Sequence, residues 1–170
     1  MTRRNGAHAG PAPITFRVEV AGKPAYADAA GQAVLAQLPT MGVAGAAEVR
    51  VCPIYEITGP FNAGHVESAA RELLSDPITQ EYRIGDGSLG PAFLLGPHWR
   101  VEVWLKPGVS DPAESSICKA VKDIGLPAPS RVRCGTVYKI AGRCQRPQID
   151  RIVRKLLANP VIHDFTVTAP

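Results

Sequence analysis

A chain that writes one phrase twice can fold only in ways that use it twice. Residues 71–84 read RELLSDPITQEYRI, and residues 154–167 read RKLLANPVIHDFTV. Sliding the sequence along itself aligns them at an offset of 83, and that offset holds without a gap from Phe16 to Ile84. Phe16-Arg17-Val18-Glu19-Val20 falls on Trp99-Arg100-Val101-Glu102-Val103. Lys23-Pro24 falls on Lys106-Pro107, Asp28 on Asp111, Gly42 on Gly125, and Pro77 on Pro160. Register kept over such a span marks a tandem duplication, which must be read before any fold is assigned.

The second copy is the clearer one. HWRVEVWLKPG alternates, with Trp99, Val101, Val103 and Leu105 on one face and Arg100, Glu102 and Trp104 on the other, as a half-buried strand does. In DPAESSICKAVKDIG, Asp111 is placed to cap a helix, Pro112 suits its first position, and Glu114 completes a capping box. Ile117, Val121 and Ile124 form its buried stripe, and Gly125 suits a left-handed exit. SRVRCGTVYKIAG is extended, with Gly135 read as a bulge or a bend between two shorter strands. A second helix buries Ile149, Ile152, Val153, Leu156 and Leu157, exits through a left-handed Asn159 and stops at Pro160. VIHDFTV is a last short strand.

The first copy repeats the plan, with a strand at 15–20. One helix is built on Val34, Leu38 and Met41 and ends at Gly42. Another is built on Val66, Ala69, Ala70, Leu73 and Leu74 and ends at Asp76-Pro77. The expected class is α+β: two tandem β-α-β-α-β units in a pseudo-twofold arrangement, with helices on one face of each small sheet. A half of about 70 residues buries a thin core, so the halves should share a sheet or pack together. The expected division is a loose tail at 1–13, a first unit at 14–85, a Gly/Pro-rich linker at 86–97 and a second unit at 98–170.

Chemistry is sparse. GDGSLG at 85–90 matches G-x-G-x-x-G, but the residues after it leave no room for the helix a pyrophosphate would need, so it reads as linker. Cys52, Cys118, Cys134 and Cys144 lack C-x-x-C spacing and read as free thiols. His8, His65, His98 and His163 have no ligand partner at metal spacing and read as surface residues. Asp28 and Asp111 read as caps rather than a catalytic pair. The expectation is no catalytic residue and no metal. Residues 98–170 carry twelve Lys/Arg against six Asp/Glu, whereas 1–97 carry seven against nine, so the second half alone is basic. Arg131, Arg133, Arg143, Arg146, Arg151 and Arg154 could face an anionic partner, but the strands lack the aromatic pattern of an RNA-binding sheet. No apolar run approaches the ~20 residues of a membrane span, and the N-terminal stretch lacks the apolar core of a secretory signal.

VEVWLKPGVSDP, VRCGTVYKI and KLLANPVIHDFTV, in this order and at these distances, resemble the PurS family, the small subunit of phosphoribosylformylglycinamidine synthase. The resemblance covers 98–169, and 14–85 resembles a second, diverged unit in which Ala25-Tyr26 replace Gly108-Val109, Ala29 replaces Pro112 and Asp76 replaces Asn159. It implies an intrachain pseudo-dimer like the fused pair in large single-chain forms of the enzyme, with further self-association left open. It implies a non-catalytic, cytoplasmic bridge between a PurL-type synthetase and a PurQ-type glutaminase in purine biosynthesis, helping ammonia pass between them. It implies no cofactor in this chain, with ATP, magnesium and glutamine used by the partners. Lys106, Pro107, Gly108 and Lys23 become candidate partner contacts; Lys106 sits where a strand ends beside a turn, so its head is expected in water. Asp28, Asp111, Gly42, Gly125, Pro77, Asn159 and Pro160 become structural marks of the repeat. A tandem amino-acid-sensing module of the ACT type and a basic nucleic-acid-binding module stay open as alternatives.

Overall fold

Ten regular elements follow the repeated pattern in a computed structural model that describes residues 13–85, 90–93 and 95–170. They are β1 (Ile14–Gly22), α1 (Ala29–Gln37), β2 (Ala46–Gly59), α2 (Ala63–Ala69) and β3 (Gln80–Ile84), then β4 (His98–Leu105), α3 (Pro112–Asp123), β5 (Arg131–Gly142), α4 (Arg146–Ile152) and β6 (His163–Thr168). A 3₁₀ turn follows α1 at Pro39–Met41. Helices α2 and α4 run into matching π turns, Ala70–Leu74 and Val153–Leu157. The halves share one antiparallel sheet of six strands in the order β3-β1-β2-β5-β4-β6.

Strand register carries the pseudo-twofold. Phe16 faces Ile57 as Trp99 faces Ile140, and Val18 faces Ile84 as Val101 faces Val167. At the centre, Pro53 on β2 lies opposite Thr136 on β5, and the offset of 83 equates these two residues. The axis therefore passes between them. The pair also breaks the symmetry. The β4–β5 ladder runs on through Val103/Thr136 to Trp104/Gly135, but the β1–β2 ladder stops at Glu19/Ile54. Proline has no N–H to extend it.

One sheet face packs under the helices. Leu38 and Val43 join Ile149, Ile152 and Val153 over Val49, Val101 and Ile140, so α1 of the first unit shares a core with α4 of the second. Val66, Ala70 and Leu74 join Val121 over Val18, Ile57 and Val132, so α2 shares one with α3. Neither half closes its core alone. Leu73 and Leu156 are only half-buried, and Ile124 lies at an exposed rim.

Several local expectations are corrected. Glu114 does not close a capping box on Asp111; its carboxylate accepts from Val132 N on β5 at 3.4 Å. The capping is done by the aspartates in a matched way. Asp28 accepts from Gly31 N at 2.7 Å and from Val51 N at 2.7 Å, and Asp111 accepts from Ala113 N at 2.9 Å and from Cys134 N at 3.0 Å. Each carboxylate thus ties a helix start to a central strand, and the strand positions, Val51 and Cys134, are ones the offset equates. Gly42 (φ 77°) and Gly125 (φ 81°) take the left-handed exits, but Asn159 does not: no non-glycine residue among those described has positive φ. The Asn159 side chain instead accepts from Val161 N at 3.0 Å, closing a turn ahead of β6. Asp76, its counterpart, accepts from Ile78 N at 2.8 Å, so the Asn-to-Asp difference keeps the turn. Strand β5 is continuous through Gly135, with neither bulge nor bend there. The tail at 1–12 and most of the glycine-rich motif, 86–89, lie outside the described residues.

Candidate partner-contact site

The Lys-Pro turns after β1 and β4 are held by their own lysines. Lys106 Nζ donates to Pro160 O at 2.5 Å, and Lys23 Nζ donates to Pro77 O at 2.6 Å and Ile78 O at 3.1 Å. The Lys106 head, expected in water, and that of Lys23 are clips joining each turn to the helix–strand turn beside it. A basic side chain passing a strand end is drawn to carbonyls that a Pro-containing turn leaves without a backbone donor. Gly108 (φ 87°) sits in a turn closed by Val109 N to Lys106 O at 3.1 Å; in the first unit Ala25 takes that place, and Tyr26 N bonds to Lys23 O at 3.0 Å. Pro107 and Gly108 are exposed. The clipped turns hold Ile78 and Val161, again equated by the offset, at 69% and 78% exposure. Lys23→Ala and Lys106→Ala should each cost about 0.5–1.5 kcal/mol in chemical denaturation, the worth of an ordinary hydrogen bond. Unchanged unfolding midpoints in both variants would return the heads to solvent.

The second sheet face is not the wet face that alternation suggests. Glu19 on β1 is 3% exposed and Lys139 on β5 is 2% exposed. Arg83 and Arg100 reach Glu19 Oε2 at 2.7 and 2.8 Å, and Lys139 Nζ lies 2.8 Å from Oε1. That last contact is charge against charge without hydrogen-bond alignment, leaving Oε1 with no directed donor among the described residues. Arg17 pairs with Glu102 at 2.5 Å, the pseudo-symmetric image of Arg100 with Glu19. Glu56 joins Arg17 at 3.4 Å and Arg133 at 2.8 Å. Burial pushes the Glu19 carboxyl up, but the Arg100 hydrogen bond and the Lys139 and Arg100 charges outweigh it and hold the group at about 2.

Two aromatic rings roof this network. Trp104 lies against Gly135 with Arg17 and Arg133 over its ring at 5.5 and 5.0 Å. Its counterpart in the first unit is Ala21, and the space is taken by Phe93, which packs with Ala21, Cys52 and Ile54. Arg83 and Lys139 lie 5.4 and 4.9 Å from the Phe93 ring, and Arg50 donates to Ala92 O at 2.9 Å. The segment read only as linker therefore supplies a core residue. The audible sequence signal was RVEV, kept unchanged in both copies with its charges on the strand face opposite the core; the lone Phe of a Gly/Pro-rich stretch gave a weaker one.

Where the β1–β2 ladder stops, a cleft of about 370 Å³ opens between Ala21 and Gly22 on one side and Val51 and Cys52 on the other, with Tyr26 and Gln32 also in its lining. The equivalent space in the second unit is about 50 Å³, lined in part by Glu114, where the first unit has Gly31. Burial pushes the Cys52 thiol up to about 11; burial and the Asp111 charge push Cys134 up to about 12. Both therefore stay protonated at neutral pH, and all four cysteines are free. His65 takes part in the α2 cap with Asn62, His163 Nδ1 accepts from Asn159 N, and His98 Nδ1 lies beside Leu95 O and Gly96 O. Among the described residues, no three His, Cys, Asp or Glu side chains group as metal ligands do.

Comparison with known proteins follows the same halves. The family model PurS, phosphoribosylformylglycinamidine (FGAM) synthase, matches residues 15–85 and again 98–170. The chain belongs to the PurS family. Its place is thus with FGAM synthase, in purine biosynthesis. The FGAM synthase subunit PurS of Synechocystis sp. is 29% identical over 93 residues, which are 51% of this chain and 93% of that relative. A relative about one repeat long is what a duplicated PurS chain should match. The solved structure of PurS from B. subtilis in a C2 crystal form covers 44% of this chain and 98% of its own, with 26% identity and a TM-score of 0.40.

Proposed function

We propose that this chain is the non-catalytic bridging subunit of an FGAM synthase, carrying a PurL-type synthetase and a PurQ-type glutaminase and helping ammonia pass between them in the cytoplasm. In this reading ATP, magnesium and glutamine are bound by the partner subunits. The observation that supports it is the Pro53–Thr136 axis: one chain supplies both halves of a dimer-like sheet, and each half completes the other's core. A rigid scaffold with two related faces suits a subunit whose task is to position others. The turns at Lys106, Pro107 and Gly108 and at Lys23, with the exposed Ile78 and Val161 beside them, are the contacts the proposal offers. None of the helices among the described residues is long and apolar enough to cross a membrane.

The test is reconstitution. The chain should co-purify with synthetase and glutaminase subunits from its own source and be required for glutamine-dependent FGAM formation, while ammonia-dependent formation by the synthetase needs it less. Alone, it should release no ammonia from glutamine and consume no ATP. Ammonia release by the pure chain that is lost on changing Cys52 or Cys134 would overturn the non-catalytic reading.

A further inference from the structure

The two units share a fold but not an electrostatic surface, and the difference is concentrated on the outer side of the second helix of each. Around α4 and its π turn stand Arg143, Arg146, Arg151, Arg154 and Lys155, all exposed, against one carboxylate, Asp150. The equivalent positions around α2 are Pro60, Ala63, Ser68, Arg71 and Glu72, with Glu67 at the place of Asp150. One surface has five cations to one acid; its twin has one cation to two acids. Solvation alone does not explain this, because the twin helix buries the same kind of stripe with almost no positive charge.

A groove of about 430 Å³ makes the contrast specific. It lies between the 3₁₀ turn after α1 and the end of α4, with Thr40, Met41 and Gly42 on one side and Arg151 and Lys155 on the other. Its walls are fixed: Arg151 NH1 donates to Met41 O at 3.3 Å, and Gln148 Nε2 donates to Gly42 O at 3.1 Å. The offset of 83 places Asp123, Ile124 and Gly125 at the twin of the first side, and Ser68 and Glu72 at the twin of the second. The apolar centre is kept, Met41 in one and Ile124 in the other. The charge at the rim is reversed, from Arg151 and Lys155 to Glu72 and Asp123. The acidic rim is itself partly neutralised, since Glu72 pairs with Arg71 at 3.1 Å and Asp123 with Lys119 at 2.6 Å. It is therefore a poor match for the basic groove of a second copy.

We infer that the groove between Met41 and Arg151/Lys155 docks an acidic surface segment of another protein, and that its twin, with Ser68 and Glu72 where the groove has its two cations, does not hold the same segment, so that the pseudo-dimer is engaged in one orientation. Specificity is a difference of affinities, so a site that attracts beside one that lacks the attraction is enough to set an orientation. A duplicated chain can supply the pair where a true twofold dimer cannot, because its two faces evolve apart. Arg and a thioether at the centre suit a protein contact, and the groove has no aromatic ring on which a nucleobase would stack.

The inference rests on the bridging role proposed above, and the experiment separates the two. Binding of the full chain to the synthetase and glutaminase subunits is titrated over a range of salt. R151E/K155E should weaken assembly by about tenfold or more at low salt, with the gap closing above about 500 mM, where contacts between exposed charges are screened. Lys155 has no side-chain partner among the described residues, so K155E alone should show the same trend with an unchanged melting temperature. The converse variant, S68R/E72K, should create a second docking site and raise the stoichiometry of the acidic partner. Wild-type-like assembly by both K155E and R151E/K155E, with the parent chain assembling normally, overturns this inference and leaves the bridging role standing. Failure of the parent chain to assemble removes both. Salt-sensitive binding of a single-stranded RNA or duplex DNA oligonucleotide, lost in R151E/K155E, with protein assembly untouched, also overturns it.

Discussion

Replacing Glu19 by Ala should cost about 3–5 kcal/mol, because it strands a buried cation rather than removing an isolated ion pair. Lys139 is the group left behind. It has Glu19 Oε1 at 2.8 Å and the Phe93 ring at 4.9 Å, and water reaches almost none of it. Arg83 and Arg100 suffer less, since both are partly exposed and Arg100 keeps Glu102 at 2.9 Å. Glu19→Gln keeps the shape and loses the charge, and should fall between the parent and the alanine variant. The same group sets an acid limb. Its folded-state pKa, about 2, lies below the ordinary 4.5, so its contribution is complete above about pH 4.5 and drains away as pH falls from there toward 2. A shift of that size corresponds to about 3 kcal/mol. Glu102 is also held low: burial raises it, and hydrogen bonds from Arg17 and Arg100 lower it by more. Urea unfolding measured between about pH 2 and 6 should show a stability slope that flattens in the Gln variant. An unchanged slope, or a loss under about 1 kcal/mol at neutral pH, would mean that Glu19 is not the pivot of the network.

The sequence yielded what depends on neighbours along the chain. Aspartate before a helix, glycine after one, and aliphatic residues at helical spacing are local signals, and Asp28, Asp111, Gly42 and Gly125 stand where those signals place them. What stayed hidden depends on partners far along the chain. Alternation tells that Glu102 and Trp104 face away from Val101; it does not tell that Arg17 and Arg133 lie over the Trp104 ring, or that Phe93 meets Arg83 and Lys139 in the other unit. Nor does it tell that a lysine after a strand bends back to a carbonyl more than fifty residues away, as Lys23 and Lys106 do. Divergence between copies also misleads when read alone. Asp76 for Asn159 looks like a loss and keeps the turn, whereas Ala21 for Trp104 looks minor and moves a linker residue into the core. The informative comparison is by pairs of positions. The change to Ala21 accompanies Cys52 where the second unit has Gly135, and in the second unit the two positions form one ladder rung, Trp104/Gly135.

That rung supports the second large prediction. Gly135 is glycine because Trp104 lies on it: a Cβ there would meet the indole at 2.6 Å, at Cε3. Trp104 is buried, packs on Gly135 and has Arg17 and Arg133 over its ring, so Trp104→Ala should cost about 3–5 kcal/mol, as large core truncations do. Gly135→Ala in the parent forces the ring off the strand and should cost about 1–3 kcal/mol. Combined, the two should not add. With the indole gone, the new methyl has room, and the double variant should be no less stable than Trp104→Ala alone, as the first unit's own Ala21 and Cys52 already illustrate. The coupling energy from a double-mutant cycle should then be about 1–3 kcal/mol. A bulge or bend at Gly135 predicts otherwise: the glycine would be required by its backbone, and its replacement would cost the same with or without Trp104. Additivity within about 0.5 kcal/mol would therefore favour the bend and remove the packing account of why this strand carries a glycine at its centre.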